Sequence, residues 1–275
     1  MRSGWLNLPE GRIETAWWGP APAGAPTIVL LHEGLGCVAL WRDVPERLAS
    51  MTGLGVFAYS RFGYGQSDPV RLPRPMTYMH HEGQVVLPQI LAAAGVRDAV
   101  LVGHSDGGSI AAIYAGVVGA ASPLSSWPLL AASQPAHALI TIAAHFFVED
   151  LNIASIRQIK DTYETGDLKQ RLARYHRDPD NAFYGWNGAW LDPRFRDFDI
   201  TGFLAAIRVP TLGLQGADDP YGTDEQLRIM QAHITAPVET RLIPGARHAP
   251  HLEAKDATLD AITRFIAATV RQSVA

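Results

Sequence analysis

Short apolar runs recur along the chain, separated by longer segments whose apolar residues fall at helical spacing. Ile28-Val29-Leu30-Leu31, Val56 to Tyr59, Val100 to Val102, Leu139 to Ile142, Thr211 to Leu214 and Val238 to Ile243 read as strands. The runs are read as continuous rather than alternating, as in a parallel sheet covered on both faces. Between them, Trp41 to Ser50 carries Val44 and Leu48 four residues apart, in register with Leu40 just ahead. Thr77 to Ala94 follows Pro75 and stops at Gly95, a C-terminal glycine signal. Thr223 to His233 and Glu253 to Val270 supply two more helices. Strand–helix alternation repeated this often predicts an α/β fold, a mainly parallel central sheet flanked by helices. Glu10 to Trp18, bounded by breaks at Gly11 and Gly19-Pro20, predicts antiparallel strands at the sheet edge.

One region departs from this rhythm. After Ala143, Ile153, Ile156, Ile159 and Tyr163, then Leu168, Leu172 and Tyr175, keep helical spacing with no strand before Thr211. Tyr184, Trp186, Trp190, Phe195 and Phe198 follow. This predicts a mostly helical cap over residues 145–205, laid on a core formed by 1–144 and 206–275. The cap aromatics are expected to pack as a second small core, and some of them to line a pocket. Ser122 to Pro135, with its prolines and Trp127, reads as an extra loop without an assigned role.

Composition narrows the function. With 47% hydrophobic and 18% charged residues the chain is globular rather than disordered or fibrous. A net charge of −4 without a basic block argues against nucleic acid as the partner. Cys37 is the single cysteine, so no intramolecular disulfide can form. Neither a targeting segment nor an apolar run of the ~18 residues a membrane helix needs is present, which predicts a soluble, cytoplasmic protein.

The strongest chemical signal is Gly103-His104-Ser105-Asp106-Gly107, placed between a strand and a helix. In that context Gly-x-Ser-x-Gly is a nucleophile elbow: a tight turn lifts the Ser105 hydroxyl above the sheet, and glycines leave room for neighbouring chain. The Asp106 amide then opens a helix, where N–H groups face an incoming anion. A serine needs a base. His248 follows the last strand and projects from the same sheet edge; His251, its rival, is expected to pack or cap. The base needs an acid. Asp219 follows the strand at Thr211, while Asp218 is expected to shape the turn; Glu149 and Asp150 are the runners-up. A second oxyanion donor is expected in His32-Glu33-Gly34-Leu35-Gly36, most simply the Gly34 amide. Phe146, Trp186, Trp190 and Tyr221 are candidate substrate contacts on position alone. No metal or other cofactor is expected. His80 and His81 point about 100° apart on a helix, awkward for shared ligation with Glu82, and a zinc site at His248, His251 and Glu253 would compete with the serine chemistry.

With Tyr59-Ser60-Arg61-Phe62-Gly63-Tyr64-Gly65-Gln66-Ser67-Asp68, Gly216 to Asp219 and Gly245 to Glu253, these motifs make nearly the whole chain resemble the α/β-hydrolase fold proteins. That family contains esterases, lactonases, haloperoxidases and C–C bond hydrolases. The order Ser, Asp, His agrees with it. The resemblance implies the acid at Asp219 and an oxyanion amide at Gly34. Ser60 stands where the family usually has Asp, and Glu33 where it has Gly. A Glu33 facing the pocket would repel anionic substrates and raise a neighbouring imidazole's pKa; it is expected at the surface or against an arginine. Ser105 stands where dehalogenases and epoxide hydrolases carry Asp, and Ala249 where C–C hydrolases often carry Trp. The reading is a serine hydrolase of a small, fairly apolar ester or lactone, acting through an acyl-enzyme. A C–C hydrolase, a haloperoxidase-like member and a non-catalytic ligand-binding protein are the alternatives.

Overall fold

A computed structural model describes residues 1–22, 25–120 and 136–272 of the chain. The Ser122 to Pro135 stretch lies outside the described residues. Eight strands form one sheet: β1 (Arg2–Leu8), β2 (Gly11–Trp18), β3 (Thr27–Leu31), β4 (Gly55–Tyr59), β5 (Ala99–His104), β6 (Ala136–Ile142), β7 (Thr211–Gly216) and β8 (Val238–Ile243). Their order is β1-β2-β4-β3-β5-β6-β7-β8. β1 and β2 pair antiparallel, as do β2 and β4, and every other pairing is parallel. The sheet is thus mainly parallel with an antiparallel edge, as the apolar runs predict.

Period-two geometry divides the strand residues between two cores. Val29, Leu31, Phe57, Tyr59 and Leu101 face one; Ile28, Leu30, Val56, Ala58, Val100 and Val102 face the other. β8 differs from the expected buried run. It is an edge strand, and Glu239 and Arg241 alternate along it with half-buried neighbours, a charge pattern that blunts an open edge.

Helix α1 (Val44–Thr52) ends at Gly53 in the left-handed region, φ 72°. The predicted Thr77 to Ala94 helix consists of α2 (Tyr78–His81), a π-turn over Glu82–Val86, and α3 (Leu87–Ala93). Helix α4 (Asp106–Ala120) is buried through Gly116, which suits its uniformly apolar sequence. Between β6 and β7 lie α5 (Asp150–Thr165), α6 (Leu168–Leu172), α7 (Pro179–Trp190), a 3-10 turn Pro193–Asp197 and α8 (Thr201–Leu204). Ile153, Ile156, Phe183, Trp186, Trp190 and Phe195 of this segment do not form a separate core. They join the cluster that holds Leu31 and Leu101. α9 (Glu225–His233), α10 (Pro250–Glu253) and α11 (Lys255–Gln272) complete the chain. Among the described residues, no helix is long and apolar enough to cross a membrane.

Candidate active site

The parallel strands β3, β5, β6 and β7 deliver four loops to one edge, where open α/β sheets bind ligands. β5 ends at His104, and Ser105 stands at φ 52°, a left-handed backbone that a non-glycine residue rarely adopts. The turn is held from both sides. The Ser105 amide donates to the Ile142 carbonyl at 2.8 Å. A Cβ on Gly107 would lie 2.1 Å from the Leu31 carbonyl oxygen, so the strand β3 backbone demands glycine there.

The structure brings Ser105, His248 and Asp219 together. His248 Nε2 lies 3.0 Å from Ser105 Oγ, and its Nδ1 lies 2.9 Å from both Asp219 oxygens. A carboxylate only accepts, so Nδ1 carries the proton and Nε2 offers a lone pair to the serine hydroxyl. Asp219 also accepts from Gln215 Nε2 at 2.5 Å and from the Tyr221 amide at 2.8 Å. Burial would raise its pKa; the His248 hydrogen bond and charge outweigh burial and hold it below the ordinary carboxylate value. Asp218 is exposed, its amide donating to the Ala246 carbonyl. Glu149 is occupied elsewhere, capping α5 with Asn152 and accepting from Thr223 and Gln226. Asp150 pairs at the surface with Arg196 at 2.7 Å. His251 is buried between Trp41 and His104 rather than at the serine.

Ser105 and His248 open on a cavity of about 200 Å³ whose wall includes Gly34, Leu35, Ile156, Trp186, Trp190 and Tyr221. Two larger hollows lie away from the serine, one of about 370 Å³ along Gly63 to Pro69 and one of about 360 Å³ against Phe62, Arg74 and Tyr78. Gly34 sits directly under the Trp186 indole: a Cβ there would come 2.2 Å from Trp186 Nε1. Asp106 starts α4, where the first amides lack intrahelical acceptors. Its buried carboxylate accepts from Tyr78 Oη at 2.6 Å and Trp190 Nε1 at 3.2 Å, with Arg61 3.9 Å away. Burial raises this carboxyl, against the lowering pull of Arg61. Trp190 therefore presents its ring, not its N–H, to the cavity.

Two expectations need correction. Phe146 is not on the wall: its side chain is buried in the core, and its backbone is pinned to Ile200 and Gln226. His145, one residue earlier, takes that place. Glu33 is neither fully exposed nor paired with an arginine through its carboxylate. It is half-buried on the cavity wall, its Oε2 3.5 Å from His104 Nδ1, while Arg61 contacts only its backbone carbonyl.

His145, which sequence reasoning missed, has a fixed tautomer. Asn152 Oδ1 accepts the Glu149 amide, so its Nδ2 faces the Tyr221 carbonyl and, at 3.3 Å, His145 Nδ1. Nδ1 must therefore accept, and the proton resides on Nε2. Burial pushes His145 down to about 3, with the His248 charge adding to the effect. The ring stays neutral and lies 5.8 Å from that of His248.

A mainly parallel eight-stranded sheet with a strained serine turn at the end of its central strand is the architecture of the α/β hydrolases. The chain matches the alpha/beta hydrolase family over residues 28–261 and belongs to it. It is 26% identical over 227 residues to a bifunctional esterase/perhydrolase of Acinetobacter calcoaceticus, covering 74% of this chain and 76% of that protein. It is 26% identical over 258 residues to the proline iminopeptidase of Lactobacillus helveticus, covering 84% and 86%. A solved structure of a thermophilic esterase from Thermogutta terrifontis superposes with TM-score 0.72 at 17% identity, over 98% of this chain and 100% of that one.

Proposed function

We propose that the chain is a serine hydrolase that cleaves an ester or lactone of a small, fairly apolar substrate through an acyl-enzyme. The observation that carries this reading is the unbroken chain Asp219–His248–Ser105, opening on an aromatic-walled cavity. Ser105 Oγ attacks the carbonyl carbon as His248 Nε2 takes its proton. The oxygen that becomes negative is received by the amides of Asp106 and Gly34. His248 returns the proton to the leaving oxygen, and water, activated by the same imidazole, then releases the acid. Asp219 keeps the imidazole in the tautomer that can accept, and stabilises the imidazolium. Residues 145–205 act as the cap, with Trp186 and Trp190 as the apolar wall for the substrate.

The cavity chemistry favours an ester over an amino-terminal peptide bond. An ammonium group calls for a carboxylate seat, and Glu33, the carboxylate on this wall, is turned toward His104. His145 Nε2–H and the Tyr221 hydroxyl suit acceptor oxygens instead. The test is intact-mass analysis after a fluorophosphonate probe, with turnover of small p-nitrophenyl esters measured beside it. One adduct is expected, absent in Ser105→Ala, whose turnover should be abolished. Residual activity above about a tenth of wild type would refute the nucleophile, since its loss removes several orders of magnitude.

A further inference from the structure

Glu33 has no task in the proposed catalysis, yet its backbone carbonyl is closely held. The Glu33 carbonyl accepts from His32 Nδ1 at 2.7 Å, Arg61 Nη2 at 3.1 Å and the Gly36 amide at 3.1 Å. Its carboxylate folds back over Gly36, where a Cβ would lie 2.2 Å from Oε2. Oε2 then faces His104 Nδ1 at 3.5 Å across an ion-pair gap. The other ring nitrogen, His104 Nε2, is 2.7 Å from the His248 backbone carbonyl.

These positions count the protons. A carbonyl cannot donate, so His104 Nε2 bears hydrogen. Nδ1 is buried without a hydrogen-bond partner, and a carboxylate oxygen stands in front of it. A bare lone pair on the buried ring would face negative charge, at a cost. A second ring proton turns the same contact into attraction. We propose that Glu33 and His104 are positioning residues, joined as a carboxylate–imidazolium bridge that sets the oxyanion loop against the elbow and the His248 loop. Glu33 precedes Gly34, His104 precedes Ser105, and the imidazole holds the His248 backbone. One ring thus touches all three segments that must meet at the reacting carbon, and the inference rests on the catalytic reading given above.

The surrounding ionisable groups support the pairing. The His251 ring meets His104 edge-on at 4.6 Å, with Lys255 beyond it, and the His248 ring lies at 5.1 Å. His145, His32, His176, Cys37 and Arg61 also lie around the two groups. Burial lowers His251 and His32, which keeps both neutral. Burial would raise Glu33, but the His104 imidazole that faces it prevails and holds it ionised, below the usual carboxylate range.

In Glu33→Gln the amide donates to a neutral Nδ1, so the link stands without a second ring proton. That variant should keep kcat within about threefold. Glu33→Ala should lose about 10–100-fold in kcat, with KM within about threefold, as expected for sub-ångström misplacement of reacting groups. A Glu33→Gln enzyme that loses as much kcat as Glu33→Ala, or a Glu33→Ala enzyme with wild-type kcat, overturns the proposal. Imidazole ¹⁵N spectra of the full chain read the bridge without turnover, using His104→Gln to assign the signals. Both His104 nitrogens should be protonated at neutral pH. A bare Nδ1 at neutral pH overturns the bridge while leaving the Ser105 result untouched; loss of the Ser105 reading with both nitrogens protonated would overturn only the catalytic assignment.

Discussion

Asp219→Asn tests the acid most sharply, because every neighbour of that carboxylate donates to it. His248 Nδ1–H, the Gln215 side-chain amide and the Tyr221 amide converge on its two oxygens. Asparagine offers one oxygen and an NH₂ group. If the oxygen keeps the Tyr221 amide, the NH₂ points at two donors. In the productive tautomer, a charge-assisted bond worth about 1.5–3 kcal/mol is lost and a buried donor is left facing a donor, at about 1–3 kcal/mol. Their sum, roughly 3–6 kcal/mol, corresponds to about 10²–10⁴ in rate. The alternative is for His248 to move its proton to Nε2, which then cannot accept from Ser105. Asp218→Asn alters an exposed side chain and should stay within about twofold, as surface changes do. The assay is kcat/KM on a p-nitrophenyl ester, with circular dichroism to show that both variants fold. An Asp219→Asn enzyme within tenfold of wild type, or a larger loss in Asp218→Asn, would refute the assignment.

Two further outcomes follow from the cavity wall. Gly34→Ala drives a methyl to 2.2 Å from Trp186 Nε1, displacing either the indole or the oxyanion amide; kcat should fall about 100-fold, as for loss of one oxyanion donor, and wild-type kcat would remove Gly34 from that role. His145→Phe deletes the Nε2–H donor, and KM for an ester with a second acceptor oxygen should rise about 2–10-fold with kcat little changed, the worth of one neutral hydrogen bond. His145→Gln, which restores an N–H, should recover part of it, and identical KM values in wild type and both variants would refute the donor role.

The sheet was legible because strands buried on both faces leave continuous apolar runs, and β3 to β7 do so. β8 was harder: as an edge it needs only one covered face, and Glu239 and Arg241 report that. Ser105 and its glycines were legible because the turn itself imposes the residue types, a strained φ and a Leu31 carbonyl allowing no side chain at Gly107. The positions of His248 and Asp219 could be anticipated from strand ends, since a parallel sheet sends all such loops to one edge. Phe146 was misplaced by one residue. Beyond Ile142 the chain leaves the strand, Ala143 takes φ 50°, and alternation no longer states which side chain faces in. Glu33 was misplaced for another reason: its partner His104 is distant in sequence, and an elbow pattern leaves that position free.

Asp106 ties the helical segment between β6 and β7 to the elbow helix. Its amide is the proposed oxyanion donor, while its carboxylate takes the N–H of Trp190 from α7 and the hydroxyl of Tyr78 from α2. Both partners also belong to the core cluster beneath the sheet. Trp190 is therefore anchored by a buried polar bond as well as by packing, and a buried donor left unsatisfied costs about 1–3 kcal/mol. A substitution at Trp190 removes one of the groups that hold the Asp106 carboxylate at the first turn of α4. Its effect should reach the oxyanion amide on the same residue and so appear in kcat, not only in the binding terms that a remote wall residue would alter. The proposed apolar wall and the proposed oxyanion donor are therefore joined through one hydrogen bond, from Trp190 to Asp106.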